Sequence, residues 1–347
     1  MILDIIIPQY KEDEKIINKL LNSINNQQNI DFSQIKITIV NDFSDCILSK
    51  EFLNKFKNLN ISYIRNDKNT GPGPARQKGF DNTDGLYVMY CDSDDELFDS
   101  NSLWTLVDCI TKYEPDYLVS NIAVEMADGS FLIKKGKDTF PWMHGKVYKR
   151  EFLLNNDIRF HDTIRNVEDA YYTTCVLGLI DKNNIKYLDY TTYKWLDNKS
   201  SLTRLKKKHH YLVETFDDFI NSPLYTYDFL VKKNSKIKHN YIVSALFGIY
   251  IALNSNIFSD SDLEERRNKY LNQLNEMIKK KRNLFIIYGK EKLDAIFNYE
   301  LYEICKRNNI KKVYKNLDDF YNEYLKWWII IINGKIVGIF IDYFFIF

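Results

Sequence analysis

The run Tyr87-Val88-Met89-Tyr90-Cys91-Asp92-Ser93-Asp94-Asp95-Glu96 carries the most informative chemistry in the chain, because an apolar stretch opens directly into a cluster of acids. Carboxylates set side by side repel one another unless a cation or a bound ligand offsets the repulsion. A hard divalent ion such as Mg2+ takes one or two carboxylates and completes its shell with substrate phosphates. Asp92 and Asp94 are therefore candidate metal ligands, able to hold an ion and a phosphorylated substrate from a single turn. The competing reading is an acidic helix start, where Asp is favoured by the helix dipole. A second acidic pair, Glu168-Asp169, stands at an expected helix start, and there capping accounts for the pattern equally well.

Positioning such groups needs a scaffold, and the first hundred residues supply one. Leu3–Pro8, Ile35–Asp42, Ile61–Asn66 and Leu86–Asp92 are short runs rich in Ile, Val and Tyr that read as strands. Between them Glu12–Gln28 places Ile16, Ile17, Leu20, Leu21 and Ile24 on one helical face, and Lys50–Phe56 and Pro74–Phe80 also read as helices. Strand–helix alternation with nearly continuous apolar strands predicts a parallel sheet covered on both faces. Ligands of such sheets bind beyond the carboxyl ends of the strands, where strand order reverses. Gln9 and Tyr10, Asn41 and Asp42, and Asp92, Ser93 and Asp94 stand at three of those ends.

Further on, Ser102–Lys112 and Glu168–Leu179 read as helices, and Asp116–Glu125, Ser130–Lys134 and Ile185–Leu196 as strands. From about residue 209 the pattern turns helical and more charged, with Tyr211–Ile220, Tyr241–Leu253 and Ser261–Lys281 the clearest stretches. The division expected is an α/β domain over residues 1–205 and a mostly helical region over 206–347, serving acceptor binding or oligomerisation. At the carboxyl end, two apolar runs flank Asn333-Gly334-Lys335. Asn-Gly between β-branched runs favours a hairpin over a membrane helix, which needs about 20 predominantly apolar residues. The tail Tyr343–Phe347 could meet a membrane surface or a partner subunit.

Bulk properties narrow the field. The chain has 48 basic and 47 acidic residues and a net charge of +1, which gives no electrostatic case for nucleic acid as a partner. Five scattered cysteines without CxxC spacing indicate neither a disulfide framework nor a zinc site and fit a reducing compartment. Met1–Pro8 lacks the basic start and cleavage site of a signal peptide. The expected location is cytoplasmic, with the inner face of the membrane as one option.

Four motifs taken in order resemble the family 2 inverting glycosyltransferases of GT-A fold. Pro8-Gln9-Tyr10-Lys11 is similar to their first strand end and Val40-Asn41-Asp42-Phe43-Ser44-Asp45 to their second. Gly71-Pro72-Gly73-Pro74-Ala75-Arg76-Gln77-Lys78-Gly79 resembles their Gly-rich segment, and Cys91-Asp92-Ser93-Asp94-Asp95 their acidic turn. The resemblance covers residues 1 to about 205. Lys11, Asn41 and Gln77 depart from the usual Asn, Asp and Asn, and the first of these bears on the nucleotide-base pocket.

The resemblance implies roles. Pro8, Tyr10, Glu12, Asp42, Arg76, Asp92, Ser93 and Asp94 would bind the nucleotide-sugar, with Tyr10 stacking on the base and Asp42 accepting an imide N–H, a pairing that favours uracil. Asp94, with Asp92, would hold Mn2+ or Mg2+ on the diphosphate. Asp169 would be the general base, supported by Glu168, since displacement at the anomeric carbon requires a carboxylate to take the acceptor's proton. Trp142, His144 and Lys146, in a stretch similar to the family's acceptor side, would contact the acceptor. Lys199, Ser201 and Arg204, which follow Trp195–Asn198, would contact the diphosphate, although a solvated loop is an equal reading. The implied activity is transfer of a hexosyl or N-acetylhexosaminyl group from a UDP-sugar to a hydroxyl of a cell-surface glycan or polymer. Two alternatives stay open: a nucleotidyltransferase acting on a sugar phosphate, whose Gly-rich basic loop after the first strand is missing here, and a non-catalytic sugar-binding relative.

Overall fold

The computed structural model describes residues 1–198, 215–258, 263–288, 290–308, 310–325, 329–332, 335–341 and 344–346. The chain forms two compact units, Met1–Leu205 with Asp228–Ser235, and Lys206–Tyr227 with Lys236–Phe347.

The first unit is built on a nine-stranded sheet of order β3-β2-β1-β4-β8-β6-β9-β5, with β7 paired to β6. The strands are β1 Leu3–Gln9, β2 Ile35–Asn41, β3 Asn60–Arg65, β4 Tyr87–Tyr90, β5 Glu96–Leu97, β6 Tyr117–Glu125, β7 Phe131–Lys134, β8 Lys146–Lys149 and β9 Ile185–Trp195. The flanking helices are α1 Glu14–Asn25, α2 Lys50–Leu53, α3 Pro72–Asp81, α4 Ser102–Tyr113, α5 Arg150–Asn155 and α6 Glu168–Leu179. Only β1 to β4 make the parallel sheet expected from the sequence. The other half is mixed, because β8 runs antiparallel between β4 and β6. A four-residue strand such as β8 has too little pattern to announce itself. Its entry depends on Gly145, at φ +66°, where a Cβ would lie 2.8 Å from Ile122 Cγ2.

Alternation along β1 explains the layers. Ile5 and Ile7 join the core formed with Leu20 and Leu21 of α1, while Ile6 faces the opposite core of Val88, Tyr90, Tyr148 and Tyr172. Helix α3 lies directly on β1, for a Cβ on Gly79 would come within 2.4 Å of Ile6 Cγ2. It starts two residues earlier than the expected Pro74, because Gly71 at φ +92° turns the chain and puts Pro72 in the first helical turn. Helix α1 likewise starts later than expected, at Glu14, since Asp13 caps it by accepting the Ile16 N–H. That leaves Glu12 outside the helix.

The chain runs outward from β1 to β2 to β3 and then crosses back to β4 on the other side of β1. Strand order therefore reverses between β1 and β4, and a cleft beyond their carboxyl ends is the expected ligand position. Because β8 is antiparallel to β4, its amino-terminal residues arrive at the same end, and β9, parallel to β6, ends there at Trp195.

The second unit is mostly helical. Helices Lys238–Leu253, Glu264–Ile287 and Lys290–Asn308 bury Leu246, Phe247, Tyr250, Leu274 and Phe297 together with Phe320. The carboxyl-terminal runs form antiparallel strands, β10 Ile329–Ile332 and β11 Lys335–Ile341, as the hairpin reading expected, and β12 Phe344–Ile346 adds a third strand. Among the described residues no helix is long and apolar enough to cross a membrane.

Candidate active site

Strand β4 ends at Tyr90, and the turn after it delivers Asp92, Ser93, Asp94 and Asp95 to the cleft. The centre of the arrangement is Arg76, one turn into α3 and buried. Its Nη2 donates to Asp92 Oδ1 at 2.6 Å and its Nη1 to Glu168 Oε1 at 2.6 Å. One guanidinium thus ties the acidic turn after β4 to the start of α6. Gly73 permits the approach: a Cβ there would sit 3.2 Å from Glu168 Cβ.

His144, in the loop leading into β8, reaches the same turn. Its Nε2 lies 3.1 Å from Asp92 Oδ2 and 3.8 Å from Asp95 Oδ2, and its ring stacks on Trp195 at 5.5 Å. Asp95 is fully buried and fixed by β9: Tyr193 donates its hydroxyl to Oδ2 at 2.8 Å and Leu196 its N–H to Oδ1 at 2.8 Å. The Asp92 N–H donates in turn to the Tyr193 hydroxyl at 3.0 Å. Asp94 is half-buried and accepts from Asn198 Nδ2 at 2.8 Å.

The electrostatics follow from this geometry. Burial opposes ionisation of Asp92, but Arg76 and then His144 outweigh it and hold the carboxyl well below the usual range. Glu168 is the same distance from that guanidinium, yet burial and the adjacent Asp169 push it up to about 7. Asp94 and Asp95 are raised by burial and by Asp92, and Glu12 by burial with Asp94 adding repulsion. Asp169 is raised chiefly by burial, with His144 and Arg76 working the other way. The acidic turn therefore gathers more carboxyl groups than the Arg76 guanidinium, already shared with Glu168, can pair.

That surplus is the test of whether a divalent cation fits, and it does. Among the described residues, ligand atoms of Asp92, Asp95 and His144 lie within 4.8 Å of one another. Oxygens of carboxylates with one imidazole nitrogen suit Mg2+ or Mn2+. The pair expected from the sequence was Asp92 and Asp94. Asp94 is outside that compact group, but it is half-buried and lacks the ion pairs that engage Asp92.

Other expected site residues fall into place differently. Tyr10 is exposed just past β1, and its N–H donates to Glu12 Oε2 at 2.7 Å, while Glu12 also hydrogen-bonds the Ser93 side chain. Pro8 is half-buried in β1 opposite Val40. Asp42 is buried and saturated: Asn66 Nδ2, the Thr70 N–H and hydroxyl and the Gly71 N–H all donate to it, so it holds the loop that leads into α3. Arg76, read as a nucleotide contact, has both terminal nitrogens on protein carboxylates. Trp142 packs on Trp195 at 5.0 Å. Lys146 is buried with its Nζ donating to the Thr139 carbonyl at 3.1 Å, and burial pushes it down to about 7 against the pull of Asp169. Lys199, Ser201 and Arg204 lie outside the described residues.

The sequence reading missed Asp95 and Tyr193 as structural partners of the site. Asp95 adjoins the motif and could have been included. Tyr193 is 98 residues from Asp95, and no local signal links the two.

Residues 4–166 match the sequence model of glycosyl transferase family 2. The chain carries a family 2 glycosyltransferase domain. It is 26% identical to glycosyltransferase GlyA of Streptococcus pneumoniae across 93% of its own length and 49% of that protein. It is also 26% identical to the poly(ribitol-phosphate) beta-N-acetylglucosaminyltransferase TarS of Staphylococcus aureus across 56% of its length and 35% of TarS. The chain thus spans about half or less of these relatives. The crystal structure of TarS 1-349 in complex with UDP-GlcNAc superposes with a TM-score of 0.64 at 18% identity, covering 99% of this chain and 97% of that one. The family 2 domain therefore has the GT-A architecture, with a mostly helical region after it.

Proposed function

We propose that the protein is an inverting glycosyltransferase that moves a sugar, N-acetylglucosamine being the first candidate, from a UDP-sugar to a hydroxyl of a cell-surface glycan or polymer. The carrying observation is the Arg76 bridge, which joins the acidic turn at the sheet's switch point to the helix start bearing Asp169. The named relatives support the choice of donor and of a polymer acceptor.

Asp169 is the general base. Its carboxylate takes the proton of the acceptor hydroxyl as that oxygen bonds the anomeric carbon, and the bond from this carbon to the diphosphate oxygen breaks on the opposite side. The raised pKa makes it a stronger base than an exposed Asp, and its Oδ1 is oriented by the Ala170 N–H at 2.7 Å. Glu168 and Arg76 position rather than react. Asp94, with Asp92, would hold Mn2+ or Mg2+, and a bound ion neutralises charge developing on the leaving diphosphate. Trp142, His144 and Lys146 border the acceptor side and Tyr10 the nucleotide base, while Asp42 holds the loop that leads into α3.

Calorimetry tests the donor and metal assignments. UDP-GlcNAc should bind more tightly with Mn2+ than with chelator, GDP should bind less well than UDP, and Asp94→Ala should remove the metal dependence. Binding that ignores both the metal and the Asp94→Ala change would overturn the metal assignment.

A further inference from the structure

Two residues before Asp169 stands a side chain to which the transfer mechanism gives no part. Val167 caps α6 with φ +58° and ψ 22°, in the left-handed region, and its cap holds no side-chain hydrogen bond. Its carbonyl still opens the helix by accepting the Tyr171 N–H at 3.0 Å. Among the described non-glycine residues with positive φ, Val167 alone is β-branched. In that region Cβ crowds the following carbonyl oxygen, and a branched Cβ has little freedom to turn aside. A helix cap ordinarily has extended backbone and a Ser, Thr, Asp or Asn side chain.

Backbone strain of this kind persists only where the surroundings over-determine it. Two anchors do so here. The isopropyl group of Val167, half-buried, packs on the core that includes Phe160, Ile164, Tyr171 and Tyr172. The next residue, Glu168, is bound to the Arg76 guanidinium at 2.6 Å, and its Cβ lies 3.2 Å from where Gly73 would carry one. Asp169 then falls close enough to His144, Arg76 and Lys146 to feel their charges. With residue 167 extended, like an ordinary cap, either the isopropyl group would leave the core or Glu168 would leave Arg76. Asp169 would move in both cases.

We propose, on the reading of Asp169 as general base, that Val167 is its positioning residue. The left-handed backbone, wedged between the core and the Arg76 bridge, locks the first turn of α6 so that the carboxylate is in place before the acceptor arrives. Misplacing a catalytic group by about 1 Å can cost about 10²-fold in rate.

Two substitutions in the full chain test this. Val167→Gly removes the isopropyl anchor and frees the backbone to leave the left-handed region, so kcat should fall about tenfold while the affinity for UDP-GlcNAc stays unchanged. Val167→Asn removes the same anchor but supplies a side chain that tolerates the left-handed region, and should restore kcat to within a few-fold of wild type. Hydrogen exchange at the Tyr171 amide, which donates to the Val167 carbonyl, reads the lock without turnover. It should quicken in Val167→Gly and return towards wild type in Val167→Asn. Equal kcat and equal Tyr171 exchange in wild type and Val167→Gly would overturn the proposal, as would a loss of kcat that tracks donor affinity or melting temperature. A wild type that transfers no sugar would instead sink the glycosyltransferase reading, and Tyr171 exchange would then decide by itself whether residue 167 locks the helix start.

Discussion

Asp92 and Glu168 share one guanidinium: Arg76 reaches each at 2.6 Å through separate terminal nitrogens. The acid in the turn after the fourth strand and the acid that opens α6 are thereby held in fixed relation, and Asp169 follows Glu168 directly. Substituting Arg76 tests how much rests on that bridge. Arg76→Ala leaves the buried Glu168 and the part-buried Asp92 without their cation, a change that costs about 3–5 kcal/mol at a fully buried pair and less here. Arg76→Lys should be only partly better, because an ammonium cannot present two parallel donor directions. Chemical denaturation should rank wild type above Lys above Ala; equal stability of all three would remove the bridge from the account.

Tyr193 offers a milder test. Its buried hydroxyl donates to Asp95 and accepts from the part-buried Asp92 N–H. Tyr193→Phe removes both bonds without changing shape and should cost about 1–3 kcal/mol. It should also loosen the turn that carries Asp92 and Asp94, measurable as weaker Mn2+ binding.

How much of this the sequence disclosed follows from range. Periodicity within β1, α1 and β2 announced the parallel half-sheet, and the run into Asp92–Asp95 announced the cleft, because each signal lies within about ten consecutive residues. The antiparallel half stayed hidden: β8 has four residues, β5 two, and their placement depends on Gly145 and on pairing with β9 far along the chain. The same limit applies to side chains. Asp92 and Asp169 were legible as acids at element ends, but the Arg76 bridge and the saturation of Asp42 by Asn66, Thr70 and Gly71 are products of tertiary packing.

Lys146 predicts a pH signature. Burial lowers its pKa to about 7 in the folded state, whereas the unfolded chain keeps the ordinary lysine value. Between about pH 7 and 10 the unfolded state binds more protons, so this group makes stability rise with pH, by at most about 1.4 kcal/mol per unit. Below pH 7 the cost of burying the charge is constant. Lys146→Met should therefore exceed wild type in stability most at pH 7 and below, and the gap should narrow towards pH 10. Urea denaturation across that range gives the comparison; a gap independent of pH would place the lysine's charge in solvent.

Asp169 carries the opposite sign in stability. Its folded pKa lies above the unfolded value, so stability contributed at acid pH is lost as pH rises through the folded pKa. Asp169→Asn should thus be at least as stable as wild type near neutrality, and wild-type transfer should decline on acidification at a pH above the ordinary aspartate range. A variant less stable than wild type at pH 7 would speak for a structural rather than a reactive carboxylate.

The most direct measurement is transfer by Asp169→Asn set beside its donor affinity, with UDP-GlcNAc and Mn2+ at neutral pH. A general base in this position predicts transfer slowed by about 10²–10⁴ with donor binding unchanged. Transfer at the wild-type rate would contradict the assignment of Asp169 and with it the proposed mechanism.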